Sequence, residues 1–167
     1  MNAGEIVLSM TAVHKSYGSV KALNGVSFEV RAGEYVGLIG PNGAGKSTLF
    51  QIITGLFAVE QGEVEVLGQT FRNNGSKLLA RVGVVFQARS VDMDMSIEEN
   101  LRFHGRLFGL RGGALKSRLG LLVEQFDLVD LQKRKVRQLS GGQQRKVEIA
   151  RAMLNQPRLL IMDEPSA

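Results

Sequence analysis

Tyr35-Val36-Gly37-Leu38-Ile39-Gly40-Pro41-Asn42-Gly43-Ala44-Gly45-Lys46-Ser47-Thr48 passes from a nearly continuous apolar run, through a glycine-rich turn, to a lysine and two hydroxyl side chains. An apolar run of that length is what a strand buried on both faces of a parallel sheet requires. The residues after Ser47 read as a helix. Gly40 to Ser47 therefore matches G-x-x-x-x-G-K-[ST] in the strand–loop–helix setting that gives the pattern its meaning. Its glycines let backbone N–H groups curl around phosphate oxygens, and the N-terminus of the following helix adds a favourable dipole. Lys46 is expected to reach β- and γ-phosphates as a mobile point charge, and Ser47 to coordinate Mg²⁺. The alternative, a glycine-rich turn with an incidental lysine, explains neither the flanking strand nor the helix.

Two further apolar runs, Val82-Gly83-Val84-Val85-Phe86 and Leu159-Leu160-Ile161-Met162, read as companion core strands. Val26-Ser27-Phe28-Glu29-Val30 and Glu63-Val64-Glu65-Val66 instead alternate apolar with polar, as half-exposed antiparallel strands do. The expected fold is α/β, a parallel-sheet core with an antiparallel β layer beside it. Between the last two core strands lies a helical insertion, at about 88–138. Leu115, Leu119, Leu122, Val123 and Phe126 fall on one helical face. Ile97, Leu101 and Phe108 make a similar stripe on the helix before it, and Gly112-Gly113 marks a break between them. Asn73-Asn74-Gly75-Ser76 reads as a short loop.

Asp163 ends an apolar strand, where a carboxylate can bind the hydration shell of a phosphate-bound Mg²⁺, and Glu164 follows it. At a strand end the chain is turning, so the second carboxylate can face the same phosphates. The other reading is a solvated Asp-Glu pair. Ser140-Gly141-Gly142-Gln143 precedes a helix from about Gln144 to Leu154, with Val147, Ala150 and Leu154 on one face. Ser140 is a favoured N-cap, and the glycines leave backbone amides bare. This is a second anion-binding helix terminus without a lysine, or simply a capped helix.

The phosphate loop, Leu139-Ser140-Gly141-Gly142-Gln143 and Met162-Asp163-Glu164-Pro165, in that order, closely resemble the ATP-binding cassette (ABC) ATPases, motor subunits of ABC transporters, which have a P-loop NTPase core. The resemblance implies that ATP is held by Gly40, Pro41, Asn42, Gly43, Ala44, Gly45, Lys46, Ser47 and Thr48, with Thr48 near the α-phosphate. It implies that Glu164 polarises the attacking water, and that Gln87, directly after Phe86, contacts Mg²⁺ and the water site. Mg²⁺ would then be held by Ser47, Gln87 and Asp163. Two subunits, identical or not, would pack head to tail. The signature Ser140, Gly141, Gly142 and Gln143 of each would close on the γ-phosphate bound by the other. Tyr17, in Lys15-Ser16-Tyr17-Gly18, resembles the aromatic residue that stacks on adenine; the plainer reading is a core tyrosine in an N-terminal strand. Ala88 to Asn100 resembles the surface that receives an integral membrane permease. Val91 to Ser96 with Glu99-Asn100-Leu101 looks like the exporter group.

The 167 residues carry 21 basic and 16 acidic side chains, a net charge of +5, which suits a polyanionic ligand or an anionic membrane face. The absence of cysteine excludes disulfides and thiolate metal sites. Lys133-Arg134-Lys135 with Arg137 has no interleaved aromatics and reads as a solvated face, so no nucleic acid is expected. His104, on the expected insertion helix, is read as structural, and neither it nor His14 matches the family's switch histidine. No apolar run reaches the ~18 residues of a membrane span, and Met1 to Glu5 lacks the basic region of a secretory signal. The expected location is cytoplasmic, held on the inner face of the membrane by a partner. The strand ending at Met162 has no helix after it to cover it. This suggests one nucleotide-binding domain over 1–167, incomplete at its C-terminal end, with Ser166-Ala167 opening the family's D-loop. Such a fragment is expected to hydrolyse ATP poorly. A soluble ABC ATPase of ribosomes or chromosomes is the alternative; the long coiled coils of the chromosomal type have no counterpart here.

Overall fold

The computed structural model describes residues 4–163, apart from the side chains of 72–74 and 76. Glu164, Ser166 and Ala167 thus lie outside the described residues. The chain divides into two compact units, Met1–Leu79 and Ala80–Ala167, each described by itself.

In the first unit, β1 (Ile6–Tyr17), β2 (Val20–Arg31) and β3 (Gln61–Val66) form an antiparallel sheet in the order β2-β1-β3. Alternation places Val64 and Val66 on its buried face, as their sequence pattern requires. Helix α1 (Lys46–Ile53) buries Leu49, Phe50, Ile52 and Ile53. Burying each of these side chains contributes about 1.5–3 kcal/mol.

Two expectations fail in this unit. The run Tyr35–Ile39 joins no ladder and is solvent-exposed, with Tyr35 at 102% and Ile39 at 96%. A turn closed by Glu34 N–H on Arg31 O takes the chain out of the antiparallel sheet, and no strand edge among the described residues receives it. Apolar pattern reports a drive toward burial; pairing needs an edge to pair with. Likewise Asn73–Ser76 is no loop but part of α2 (Phe71–Leu79). Phe71 packs over Gly55, and Leu78, two turns later on the same face, is 1% exposed. Two apolar anchors override the weak turn preference of the residues between them.

In the second unit β4 (Val82–Val85) and β5 (Leu159–Met162) pair in parallel, Val82 opposite Leu159. Among the described residues this ladder has two strands, and Met162 is 41% exposed where burial on both faces was expected. Helices α3 (Ile97–Leu107), α4 (Gly112–Gln125) and α5 (Gly141–Ala152) follow β4. Ile97, Leu101, Leu119, Leu122, Val147 and Leu154 meet in one core. The α4 stripe holds as expected. On α3 it stops at Leu101, because Phe108 is the C-cap and half-exposed. The break between the two helices falls at Phe108–Arg111, so Gly112-Gly113 open α4 instead of linking to it.

Candidate nucleotide-binding site

The phosphate loop ends in α1, whose N-cap Gly45 takes φ +83°, ψ 6°. Gly43 is also left-handed, at φ +81°. These are conformations that L side chains reach only at a cost of about 1–2 kcal/mol. Gly45 is pressed against β2, where a Cβ would lie 2.3 Å from Ala22 O. The loop therefore seats directly on the strand. Lys46 Nζ donates to Gly40 O at 2.7 Å and Pro41 O at 2.8 Å, folding the ammonium back across its own loop. Two of its three N–H groups are used, which leaves one to turn outward. The first turn of α1 carries no acidic residue, so nothing offsets the positive end of its dipole. Pro41 to Ala44 and Ser47 are exposed, while Thr48 is half-buried. The cradle suits a polyphosphate: curved backbone amides, a helix N-terminus, a mobile cation and a hydroxyl.

Tyr17 lies at the β1–β2 turn opposite Val20, and it is 45% exposed instead of belonging to the core. Its ring meets Phe57 edge-on at 6.4 Å, and Lys15 Nζ stands 5.8 Å from its centroid. An aromatic shelf flanked by a cation is what a flat heterocycle with anionic substituents would use.

The second unit holds Gln87, the Ser140–Gln143 segment and Asp163. Ser140 caps α5 in a reciprocal box: its Oγ accepts from Gln143 N–H at 3.2 Å, and its own N–H donates to Gln143 Oε1 at 2.9 Å. Gly141 and Gly142 are exposed in the first turn, where N–H groups have no acceptor within the helix. Gln87 is exposed just past β4. Asp163 N–H donates to Val85 O at 2.9 Å, tying the ends of β4 and β5 together. Among the described residues no three His, Asp or Glu side chains form a metal cluster. Asp163 is a single carboxylate of the kind that Mg²⁺ takes from protein when phosphates and water supply its other ligands.

Sequence reading missed three things. Arg145, on α5, donates to Phe86 O and Asp163 O, and pairs with the buried Glu148. The basic run, whose side chains are exposed as expected, is knitted by its backbone to the segment after Gln87. Val136 N–H bonds Met95 O, Arg137 N–H bonds Met93 O, and Ile97 N–H bonds Arg134 O. Asn100, 1% exposed, locks that segment from within through Asp92 and Ser96. Of these, only the charged residues of α5 left a trace: Glu148 and Arg151 stand four and seven residues after Gln144, on the helix face that should be apolar. Ser96 caps α3 with Glu99 in the same reciprocal box, and the Ser96 N–H and hydroxyl hold the Glu99 carboxyl below the usual range. Burial, helped by nearby Arg151, lowers the pKa of His104.

Residues 23–167 match the family model described as ABC transporter. The chain belongs to the ABC transporter family. Among its relatives is the Nod factor export ATP-binding protein I of Ralstonia nicotianae, 38% identical across 96% of this chain and 50% of that protein. The Linearmycin resistance ATP-binding protein LnrL of Bacillus subtilis is 36% identical across 96% of this chain and 51% of its own. The chain thus spans about half the length of the curated relatives it matches. The solved structure of cbiO1 from Clostridium perfringens, part of the ABC transporter complex cbiONQ, superposes with a TM-score of 0.90 at 27% identity. That match covers 98% of this chain and 67% of that one. The fold of this ABC family member is accordingly α/β, of the P-loop NTPase type, with a parallel sheet, an antiparallel layer and helices. ABC ATPases bind ATP, generally with Mg²⁺. No described helix is long and apolar enough to cross a membrane.

Proposed function

We propose that this chain is the nucleotide-binding domain of an ABC exporter subunit that binds and hydrolyses ATP to drive a membrane-embedded permease. The observation that carries the reading is the phosphate loop, with Lys46 folded onto Gly40 O and Pro41 O over the free N-terminus of α1. ATP phosphates replace those carbonyls as partners of Lys46 and take the amides of Gly43 to Ser47. Tyr17 stacks on the adenine. Ser47, Gln87 and Asp163 would hold Mg²⁺, which would supply positive charge against the charge developing on the phosphates. Glu164 accepts a proton from the attacking water, and Gln87 orients that water. Catalysis here is positioning and electrostatics more than covalent chemistry.

The second helix terminus, at Ser140, presents bare amides without a cation and so suits a phosphate already held by a lysine elsewhere. That supports a head-to-tail dimer in which Ser140 to Gln143 meet the γ-phosphate on a second nucleotide-binding subunit. Export is supported by the names of relatives, which speak of Nod factor export and linearmycin resistance. The working location is the inner face of the cell membrane, through the permease.

Nucleotide binding and partner capture test the proposal together. The full-length protein should bind ATP with Mg²⁺, and Lys46→Ala should abolish that binding. Purified from detergent-solubilised membranes, it should bring down an integral membrane protein in stoichiometric amount. Unchanged affinity in Lys46→Ala overturns the nucleotide site; recovery with ribosomes alone overturns the transporter assignment.

A further inference from the structure

Arg145 makes contacts that reach well beyond its own helix. Its Nη1 donates to Phe86 O at 2.8 Å and to Glu148 Oε2 at 2.7 Å, while Nη2 donates to Asp163 O at 3.0 Å. Phe86 immediately precedes Gln87, and Asp163 immediately precedes Glu164. A peptide bond is planar, so the carbonyl of one residue shares its plane with the N and Cα of the next. A group that fixes Phe86 O fixes the plane from which Gln87 departs. One that fixes Asp163 O fixes the plane of the bond leading out to Glu164. The guanidinium is itself a rigid planar fork. We propose that Arg145 is a positioning residue for hydrolysis, one guanidinium that holds in register the two peptide planes bearing Gln87 and Glu164. The inference rests on the hydrolytic roles proposed above for those two residues.

The surroundings make this fork stiff. Glu148, 3% exposed, holds Arg145 with one carboxylate oxygen, and its other oxygen accepts from Ser90 N–H at 3.2 Å. Arg151, one turn further along α5, donates to Ser90 O and Oγ. The segment from Phe86 to Ser90 is thus fastened to α5 at both ends. Asp163 N–H on Val85 O, at 2.9 Å, closes the arrangement by joining the two strand ends directly. Since Ser140 caps α5, the signature terminus and the two hydrolytic positions are connected through one helix and one side chain.

The test separates turnover from binding in the full-length protein. Arg145→Lys keeps the pair with Glu148 but brings one nitrogen where arginine brings two. A double variant, Arg145→Met with Glu148→Gln, removes both charges of the pair together and so keeps the chain foldable if the single change strains it. Each is assayed well below its own melting temperature for ATP affinity and for kcat. We expect kcat to fall on the order of tenfold in Arg145→Lys and about a hundredfold in the double variant, the scale of a misplacement of ~1 Å at a reacting centre. Affinity for ATP should stay within about twofold of the wild type. Wild-type kcat in both variants, or affinity lost in step with kcat, overturns the assignment. Glu164→Gln is measured alongside. If that variant is inactive while both Arg145 variants turn over normally, only the role of Arg145 fails. If Glu164→Gln itself turns over normally, the hydrolytic reading fails and the positioning role falls with it.

Discussion

Gly43 and Gly45 offer a matched pair of perturbations, because their backbones are nearly alike and their surroundings are not. Their φ angles are +81° and +83°. An alanine at either position pays ~1–2 kcal/mol to hold the left-handed backbone; as the free loop relaxes to escape that cost and ATP binding restores it, the ATP Kd rises by about 5- to 30-fold. At Gly43 that is the whole effect, since a Cβ there meets nothing within 4 Å. At Gly45 it would lie 2.3 Å from Ala22 O and 3.0 Å from Leu23 Cδ2. The obstacle is the backbone of β2, which is paired with β1 on both sides of Ala22, at Lys21–Ser16 and Leu23–Lys15. The loop and the start of α1 must therefore retreat by about 1 Å to restore ordinary contact distances. A shift of that size moves amides and Lys46 out of hydrogen-bonding range of the phosphates. Gly45→Ala should weaken binding on the order of a hundredfold or more, clearly beyond Gly43→Ala. The assay is titration of each full-length variant with a fluorescent ATP analogue, with melting curves to show that both are folded. Equal losses in the two variants, or wild-type affinity in Gly45→Ala, would refute the claim that this close approach sets the position of the cradle.

Three other perturbations follow from the geometry. Asn100→Asp replaces the amide that donates to Asp92 O and Ser96 O with a buried carboxylate that repels both. It should cost roughly 3–5 kcal/mol, the scale of an uncompensated buried charge, read as a lower urea midpoint at unchanged slope. His104 titrates below its ordinary 6.5 because burial disfavours its charged form. The unfolded chain therefore takes up a proton first as pH falls, so this contribution to stability is complete above 6.5 and is lost progressively below it, toward the lowered folded value. His104→Gln should flatten the stability profile across that window; an unchanged profile would show that His104 does not set it. Tyr17→Ala should raise the Kd for ATP by about 5- to 150-fold, the ~1–3 kcal/mol of one base–aromatic stack, and leave inorganic triphosphate binding alone. Equal losses for both ligands would mean that Tyr17 does not touch the base.

The fold was legible where a segment's own apolar pattern met a partner in the structure. The alternation at Glu63–Val66 and the four-residue run Leu159–Met162 each became the expected strand, β3 and β5. The stripe at Leu115, Leu119, Leu122 and Val123 became the buried face of α4. Tyr35–Ile39 is an apolar run like those that became strands, yet it forms no ladder; hydropathy carries no information about which edge receives a strand. Asn73–Ser76 failed in the opposite direction. Four turn-forming residues were read by their own preferences, whereas Phe71 and Leu78 outside them decided the conformation.

The candidate site divides along the same line. Both helix termini could be read from sequence because each is a local object. Gly43, Gly45 and Lys46 shape the first within a few residues, and Ser140 with Gln143 completes the second across one turn. What joins the second terminus to Gln87 and Asp163 is not local. Arg145 reaches Phe86 across 59 positions in sequence, and Arg151 reaches Ser90 across 61. Yet the sequence does signal that something must be joined there. On α5, Gln144, Glu148 and Arg151 share the buried face with Val147. A charged side chain on such a face is tolerable only when a partner answers it. Glu148 is answered by Arg145 and the Ser90 N–H, and Arg151 by the carbonyl and hydroxyl oxygens of Ser90. Charge on a face that periodicity requires to be apolar therefore marks where a helix is fastened to distant chain, although the topology alone determines to what. In this chain the fastening falls beside the two residues proposed to handle the water, which makes α5 the element through which the signature terminus and the hydrolytic positions act as one body.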